Sequence, residues 1–183
     1  MSNDADSQRL LIEIPGVAAG SFICATVEFE VVTLASSNQM VWMKLKQTND
    51  LNNTQYDTMM SCWRHSASSW RARHGYQGSG GSMTTAYTGD NPWANSQPST
   101  VTMAMWGSGY SWRCAMSSVS TTPARPAFRA MAATNNATGS LRTRSNGQTA
   151  GDTLPFLRYL VLGFGSQSNT VEARIKRVIV ETI

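Results

Sequence analysis

Aromatic side chains crowd into one stretch of the sequence, between positions 63 and 112. Sugar rings present apolar C–H faces that stack on indole and phenol rings, and nearby Asn, Asp and Arg side chains can bind the sugar hydroxyls. The stretch therefore has the composition that a glycan-binding site requires. Its aromatic members are Trp63, Trp70, Tyr76, Tyr87, Trp93, Trp106, Tyr110 and Trp112.

The same residues also suit contacts between protein subunits. Trp and Met are enriched at permanent protein interfaces, and the chain contains 10 methionines and 6 tryptophans. Some of these rings are expected in the hydrophobic core. We favour a partner-binding surface over a glycan site, and both interpretations stay open at this point.

Residues for catalysis are sparse. His65 and His74 are the only histidines, and no Gly-x-Ser-x-Gly motif is present to form a serine nucleophile. His65 follows Arg64 and is interpreted as a solvated turn residue rather than a general base. The sequence predicts a protein that is not an enzyme, with no catalytic residue and no cofactor. The glutamates that a paired-carboxylate mechanism would need are Glu13, Glu28, Glu30, Glu172 and Glu181, and three of them fall on outward strand faces beside basic residues.

Metal binding is not predicted either. Cys24, Cys62 and Cys114 are widely spaced, without the C-x-x-C pairs of zinc or redox sites. We expect buried or half-buried free thiols in a reducing compartment, with a Cys62–Cys114 disulfide as the open alternative.

The charge pattern indicates contacts between chains more than nucleic-acid binding. The formal net charge is +4, and only Lys44, Lys46 and Lys176 of the 15 basic residues are lysines. The arginines are scattered singly, so a nucleic-acid-binding stripe is disfavoured. Only 14% of the residues are charged, against about a quarter in typical proteins.

Arginines in the loop-rich parts are expected to bind other subunits. Guanidinium is weakly hydrated and can donate two hydrogen bonds at once to a carboxylate. Asp4 and Asp6 are the predicted acceptors, which would make residues 1–8 a flexible arm that becomes ordered on assembly. The predicted inter-subunit arginines are Arg64, Arg71, Arg73, Arg142 and Arg144.

Alternation of apolar and polar residues predicts β-strands at both ends of the chain. From Phe22 to Val31 and from Met40 to Lys46 every second residue is apolar. Pairing of these two runs as a hairpin would place Glu28 and Glu30 near Lys44 and Lys46 on a solvent face. Leu157–Phe164 is apolar on both faces, and Val171–Val180 alternates, so this last strand should belong to the sheet itself.

The remaining chain predicts shorter strands separated by turns and no amphipathic helix of useful length. The combination predicts an all-β, single-domain antiparallel β-sandwich over residues 9–183, although a barrel is also compatible. The opening residues are polar and acidic, so no secretion signal is expected, and no apolar run is long enough to cross a membrane. The further predicted strands are Arg9–Ile14, Thr58–Arg64, Ser69–His74, Val101–Met105, Tyr110–Met116 and Phe128–Ala132, with polar loops at 47–57, 75–99 and 134–152.

The terminal units carry a resemblance to known proteins. The segments IPGVAAGSFICATVEFEVV (14–32), MVWMKLK (40–46) and LRYLVLGFGSQSNTVEARIKRVIVETI (157–183) resemble the ends of jelly-roll, concanavalin-like β-sandwich modules in bacteriophage virion proteins. The resemblance implies a structural protein of the capsid or tail, assembled in the host cytoplasm. Its implied partners are further copies of the chain, as a trimer, and other virion proteins. A carbohydrate-binding module for a host-surface glycan is the alternative. Some such modules hold calcium, but Asp50, Asp57, Asp90 and Asp152 are isolated in sequence, so that site is not carried over.

Overall fold

The structure is a computed structural model, and it describes residues 8–18, 20–34, 39–51, 58–66, 69–77, 83–90, 99–108, 111–117, 142–145, 157–165 and 171–182. For the strands β5, β6, β8 and β9 only the backbone is described. Within the described ranges no helix is long and apolar enough to span a membrane.

The described residues form eleven strands, and every strand pairing is antiparallel. The strands are β1 (Gln8–Glu13), β2 (Ile23–Leu34), β3 (Gln39–Lys46), β4 (Thr58–Ser66), β5 (Ser69–Gln77), β6 (Met83–Asp90), β7 (Thr100–Ser108), β8 (Ser111–Ser117), β9 (Arg142–Ser145), β10 (Tyr159–Gly165) and β11 (Val171–Thr182).

Two sheets pack face to face. The six-stranded sheet has the order β1-β10-β3-β4-β5-β6, and the five-stranded sheet has the order β11-β2-β7-β8-β9. Since apolar residues alternate along each strand, one face of each sheet enters the core between them. The core side chains include Val27 and Phe29 from one sheet and Val41, Met43 and Leu162 from the other. The predicted class, an antiparallel β-sandwich of jelly-roll type, is confirmed.

The last strand lies in a sheet, as predicted. Val171, Ala173 and Ile175 pack against the core, while Glu172, Arg174 and Lys176 are exposed. A bulge between Ile175 and Arg177 shifts the register, so that Val178 and Val180 continue the apolar face. Beyond the bulge, Arg177 binds Glu28 of β2 with 2.8 Å between Nη2 and Oε2.

The predicted hairpin between β2 and β3 is wrong. β2 pairs with β11 and β7, whereas β3 pairs with β10 and β4 in the opposite sheet. Glu30 instead lies 3.5 Å from the Nζ of Lys176 and 3.6 Å from Nη1 of Arg174. Lys44 and Lys46, expected on a solvent face, are buried.

Two segments predicted as loops contain strands. β6 (Met83–Asp90) lies within 75–99, and β9 (Arg142–Ser145) lies within 134–152. The predicted strands at Thr58–Arg64 and Ser69–His74 are present as β4 and β5, and β7 pairs with β8 as expected. The predicted strand Phe128–Ala132 and residues 1–7 of the predicted arm lie outside the described residues, and β1 begins at Gln8.

Candidate functional site

The candidate site is the outer face of the six-stranded sheet, the face turned away from the core. Because Val41, Met43 and Leu45 of β3 enter the core, the alternation places Trp42, Lys44 and Lys46 on the opposite side. The register brings neighbouring residues from three further strands to the same face: Arg9, Leu11 and Glu13 from β1, Tyr159, Val161 and Gly163 from β10, and Met59 and Ser61 from β4.

Trp42 is buried at the centre of this face and packs directly on a glycine. Its ring is only 1% exposed, and its register partners are Gly163 on β10 and Ser61 on β4. A Cβ atom built on Gly163 would overlap the indole, reaching 2.8 Å from Cη2 and coming closer still to Cζ2 and Cε2. Only a residue without a Cβ atom lets the ring come this close to the backbone of β10.

Two lysines follow Trp42 along β3. The Nζ of Lys44 lies 4.8 Å from the centroid of the Trp42 ring, within the range of a cation–π interaction. Lys44 and Lys46 are 3% and 2% exposed, which is rare for lysine because removing an ammonium group from water is costly. The ring therefore offsets part of the desolvation cost of the first lysine.

The face opens toward β1. Arg9 is half-buried, and its Nη1 donates a hydrogen bond to the carbonyl oxygen of Leu51 at 3.3 Å. Leu11 and Glu13 on the same face are exposed. The outer face thus changes from closed packing at β3 to solvent at β1.

The predicted aromatic residues are divided between the two sheets. Trp63 pairs with Met40 and Arg71, whereas Trp106 pairs with Cys24 and Arg113. The four on β4, β5 and β6 of the six-stranded sheet are Trp63, Trp70, Tyr76 and Tyr87; Trp106 and Trp112 are on β7 and β8 of the five-stranded sheet. Trp93 and Tyr110 lie outside the described residues.

The predicted inter-subunit arginines are divided in the same way. Arg64 lies on β4, Arg71 and Arg73 lie on β5, and Arg142 and Arg144 lie on β9 of the other sheet. Arg73 pairs with Ser61, which pairs with Trp42, so its backbone shares a register row with the candidate site. Asp4 and Asp6 lie outside the described residues.

The histidines and cysteines are the remaining residues that were considered for catalysis or metal binding. His65, expected in a turn, lies in β4 beside a register shift, and His74 pairs with Tyr87. Among the described side chains, no group of three or more His, Cys, Asp or Glu residues could hold a metal. Cys62 is a buried free thiol, as predicted, so the alternative Cys62–Cys114 disulfide is not formed, and Cys24 is also buried.

Thiol labelling should report this burial. Burial raises the pKa of the Cys62 thiol from its ordinary value of 9.0, because the thiolate would lose its hydration. We expect Cys24 and Cys62 to resist a thiol reagent at pH 8 in native buffer and to react fully in denaturant, as measured by mass spectrometry of peptides. The raised pKa also predicts stability that is complete below pH 9.0 and declines above it, since only the unfolded chain then loses its proton. Rapid native labelling of Cys62 would contradict the burial.

No family model matches the chain, and no curated protein is detectably similar to it in sequence. Solved structures are similar in fold. The CBM2 module of the evolved Dit of Lactobacillus casei BL23 phage J-1 has a TM-score of 0.56 at 11% identity, over 95% of this chain and 67% of that chain. The GH16 protein of the Bacteroides ovatus mixed linkage glucan PUL, in complex with its product, has a TM-score of 0.54 at 7% identity, over 96% of this chain and 74% of that chain.

A phage enzyme shares the fold as well. The enzymatically active domain of the bacteriophage CBA120 tailspike protein 2 has a TM-score of 0.50 at 13% identity, over 94% of this chain and 23% of that chain. Identities this low show the fold alone. The resemblance to β-sandwich modules of phage virion proteins is thereby confirmed at the level of the fold.

Proposed function

We propose that the protein is a non-enzymatic structural component of a phage particle, of the capsid-decoration or tail type, which acts through contacts between subunits. The observation that carries the proposal is the closed packing of the outer face of the six-stranded sheet at β3 and β10. A glycan-binding cleft requires aromatic rings that are accessible to the ligand. Trp42 is instead buried against Gly163, with Lys44 beside it. The fold shared with the phage J-1 Dit module supports a place in a virion.

Purified phage particles provide the test of this proposal. Virions produced from the genome that encodes the chain should contain it after gradient purification, at a constant ratio to the major capsid or tail proteins in quantitative mass spectrometry. Its assembly in the host cytoplasm would be followed by the same measurement on cell lysates. Absence of the chain from purified virions would contradict the proposal.

The predicted arm belongs to the same proposal. Asp4 and Asp6 would accept hydrogen bonds from arginines of a neighbouring subunit, and such ion pairs weaken as salt screens them. Deleting residues 2–7 leaves β1 intact and should lower the binding of the chain to virions that lack it, more strongly at low salt than at high salt. Equal binding of the truncated and full chains across a salt series would exclude a role for the arm.

Glycan binding is the second candidate, and a register row favours it. Trp63, Arg71 and Asp90 lie side by side on β4, β5 and β6, which combines an indole with a donor and an acceptor residue. The GH16 structure with its bound product shows that this fold can carry a saccharide site. Host polysaccharide should then quench tryptophan fluorescence, and Trp63→Ala should abolish the quenching. Trp106→Ala, on the other sheet, is the matched control. Unchanged polysaccharide binding in Trp63→Ala would reject this site.

A further inference from the structure

β1 is an edge strand that exposes apolar side chains on both of its faces. In the described part of the chain its neighbour is β10, and its other side ends the sheet. Leu10 is 47% exposed and Leu11 is 38% exposed, and the third large hydrophobic side chain described as exposed is Val32 on β2. Contiguous exposed leucines on an open edge favour pairing with another strand.

One edge strand of the five-stranded sheet, β11, is protected against such pairing by its charges. β11 presents the exposed charges of Glu172, Arg174 and Lys176 in alternation, which is how proteins discourage edge-to-edge pairing. β1 has leucines at its middle and opposite charges, Arg9 and Glu13, toward its ends. Two antiparallel copies of β1 can therefore place leucines opposite apolar residues and arginine opposite glutamate.

The backbone of β1 is turned in the required direction. The N–H of Ile14 donates to the carbonyl of Arg158 at 2.7 Å, in register with the β1–β10 ladder. Because hydrogen-bonded and non-hydrogen-bonded pairs alternate in antiparallel strands, the even-numbered residues bond to β10. The N–H and C=O groups of Arg9, Leu11 and Glu13 therefore point to the open edge.

We propose that β1 pairs with β1 of a second copy of this chain, antiparallel and centred on Leu11. The two-fold axis lies midway between the two Leu11 residues and is perpendicular to the sheet. The core-facing sides of the two copies therefore lie on the same side of the joined sheet. Leu11 then lies opposite Leu11 of the second copy, and Arg9 lies opposite Glu13 of the second copy twice. On the core face Leu10 lies opposite Ile12. Each opposed pair is apolar with apolar or positive with negative.

Charge fixes this register among those that the backbone allows. The hydrogen-bonding phase is kept by an axis at any residue from Arg9 to Glu13. An axis at Arg9 or Glu13 sets two identical charges opposite each other. An axis at Leu10 or Ile12 sets Leu11 opposite a charged residue, Arg9 or Glu13. Centring on Glu13 also brings Leu11 opposite Pro15, which has no N–H to donate. Only the axis at Leu11 sets Arg9 opposite Glu13 and Leu11 opposite Leu11.

This inference deepens the proposed function, because it names the partner and the surface of one subunit contact. A two-fold pair predicts a dimer as the unit in solution, in place of the trimer implied by the sequence resemblance. The six-stranded sheets of two copies would join into one continuous sheet. The pairing is tested on the full chain alone, so its failure is separate from absence of the protein from virions.

The first experiment is light scattering coupled to size-exclusion chromatography over a series of micromolar concentrations. The chain should be a dimer. Leu11→Lys sets two ammonium groups opposite each other and should weaken the dimer at least about tenfold. Val32→Lys is the matched control, since Val32 is 37% exposed and lies on β2 rather than on the β1 edge. A wild-type monomer or trimer, or equal effects of the two variants, would overturn the proposal.

The second experiment tests the register by complementation. Arg9→Glu sets glutamate opposite Glu13, and Glu13→Arg sets arginine opposite Arg9, so each variant alone should be monomeric where the wild type is dimeric. Mixing the two variants restores opposite charges at both positions and should restore a dimer that contains one copy of each. Circular dichroism of each variant alone would test whether it is folded. A mixture that stays monomeric would reject the register even if Leu11→Lys had failed to fold.

Discussion

Replacing Trp42 with alanine is expected to lower the free energy of unfolding by about 3–5 kcal/mol. The indole is one of the largest fully buried side chains of the described residues, although it lies outside the core between the sheets. Its removal leaves a cavity against Gly163 and takes the ring from the ammonium group of Lys44. Urea unfolding followed by circular dichroism would measure the change as a lower midpoint at a constant slope.

The size of this effect tests whether Trp42 is a packing residue or an exposed binding residue. A tryptophan that serves as a sugar platform is exposed, and its loss would abolish ligand binding while changing the unfolding free energy by only about 0.5 kcal/mol or less. Val32→Ala is the matched control, because Val32 is an exposed apolar residue that lies on β2, away from the β1 edge. Equal stabilities of Trp42→Ala and Val32→Ala would contradict the closed packing around Trp42 on which the structural proposal depends.

The strands with regular alternation were predictable because a half-buried strand must repeat every two residues. Val27 and Phe29 on β2, like Ala173 and Ile175 on β11, enter the core as expected. A slip of one residue would turn Glu28 into the apolar core and Phe29 out of it, so the pattern determines which face is inward. The sandwich follows from such strands in the absence of helices.

The strand neighbours were not predictable from the same pattern. Alternation defines the buried face of a strand and says little about its edge partner, and exposed charge pairs add only about 0.2–1 kcal/mol to one pairing. β2 and β3 therefore bury their apolar faces against each other across the core, in opposite sheets. Glu28 forms its salt bridge with Arg177 rather than with a lysine of β3, because β11 lies beside β2.

The candidate site was not predicted because the sequence of β3 is typical of a strand with one solvent-exposed face. Lys44 and Lys46 alternate with apolar residues, and lysine is almost always exposed. The contrary signal lies on β10, whose Leu160, Val161 and Leu162 are apolar on both faces, as suits a strand covered on both sides. A single glycine within that apolar run, Gly163, also marks a close approach of another group to the backbone.

Replacing Gly163 with alanine is accordingly expected to cost about 2–3 kcal/mol of unfolding free energy, because the new Cβ and the Trp42 ring need the same space. The ring is buried in its place on β3 and cannot move aside as a flexible surface chain would. In a Trp42→Ala background the same glycine substitution should cost almost nothing, since alanine is otherwise better than glycine in a strand by about 0.5–1 kcal/mol. The difference between the two costs is the coupling energy of the pair.

Gly20→Ala separates this overlap from the general effect of replacing a glycine. A Cβ on Gly20 meets no atom within 4 Å, but the backbone there has a φ of 83°, so its cost of about 1 kcal/mol is conformational. That cost should be the same with and without Trp42, whereas the cost at Gly163 should disappear with the ring. If Gly163→Ala were equally costly in both backgrounds, the ring would not lie on β10, and the outer face of the sheet would be open for a ligand after all.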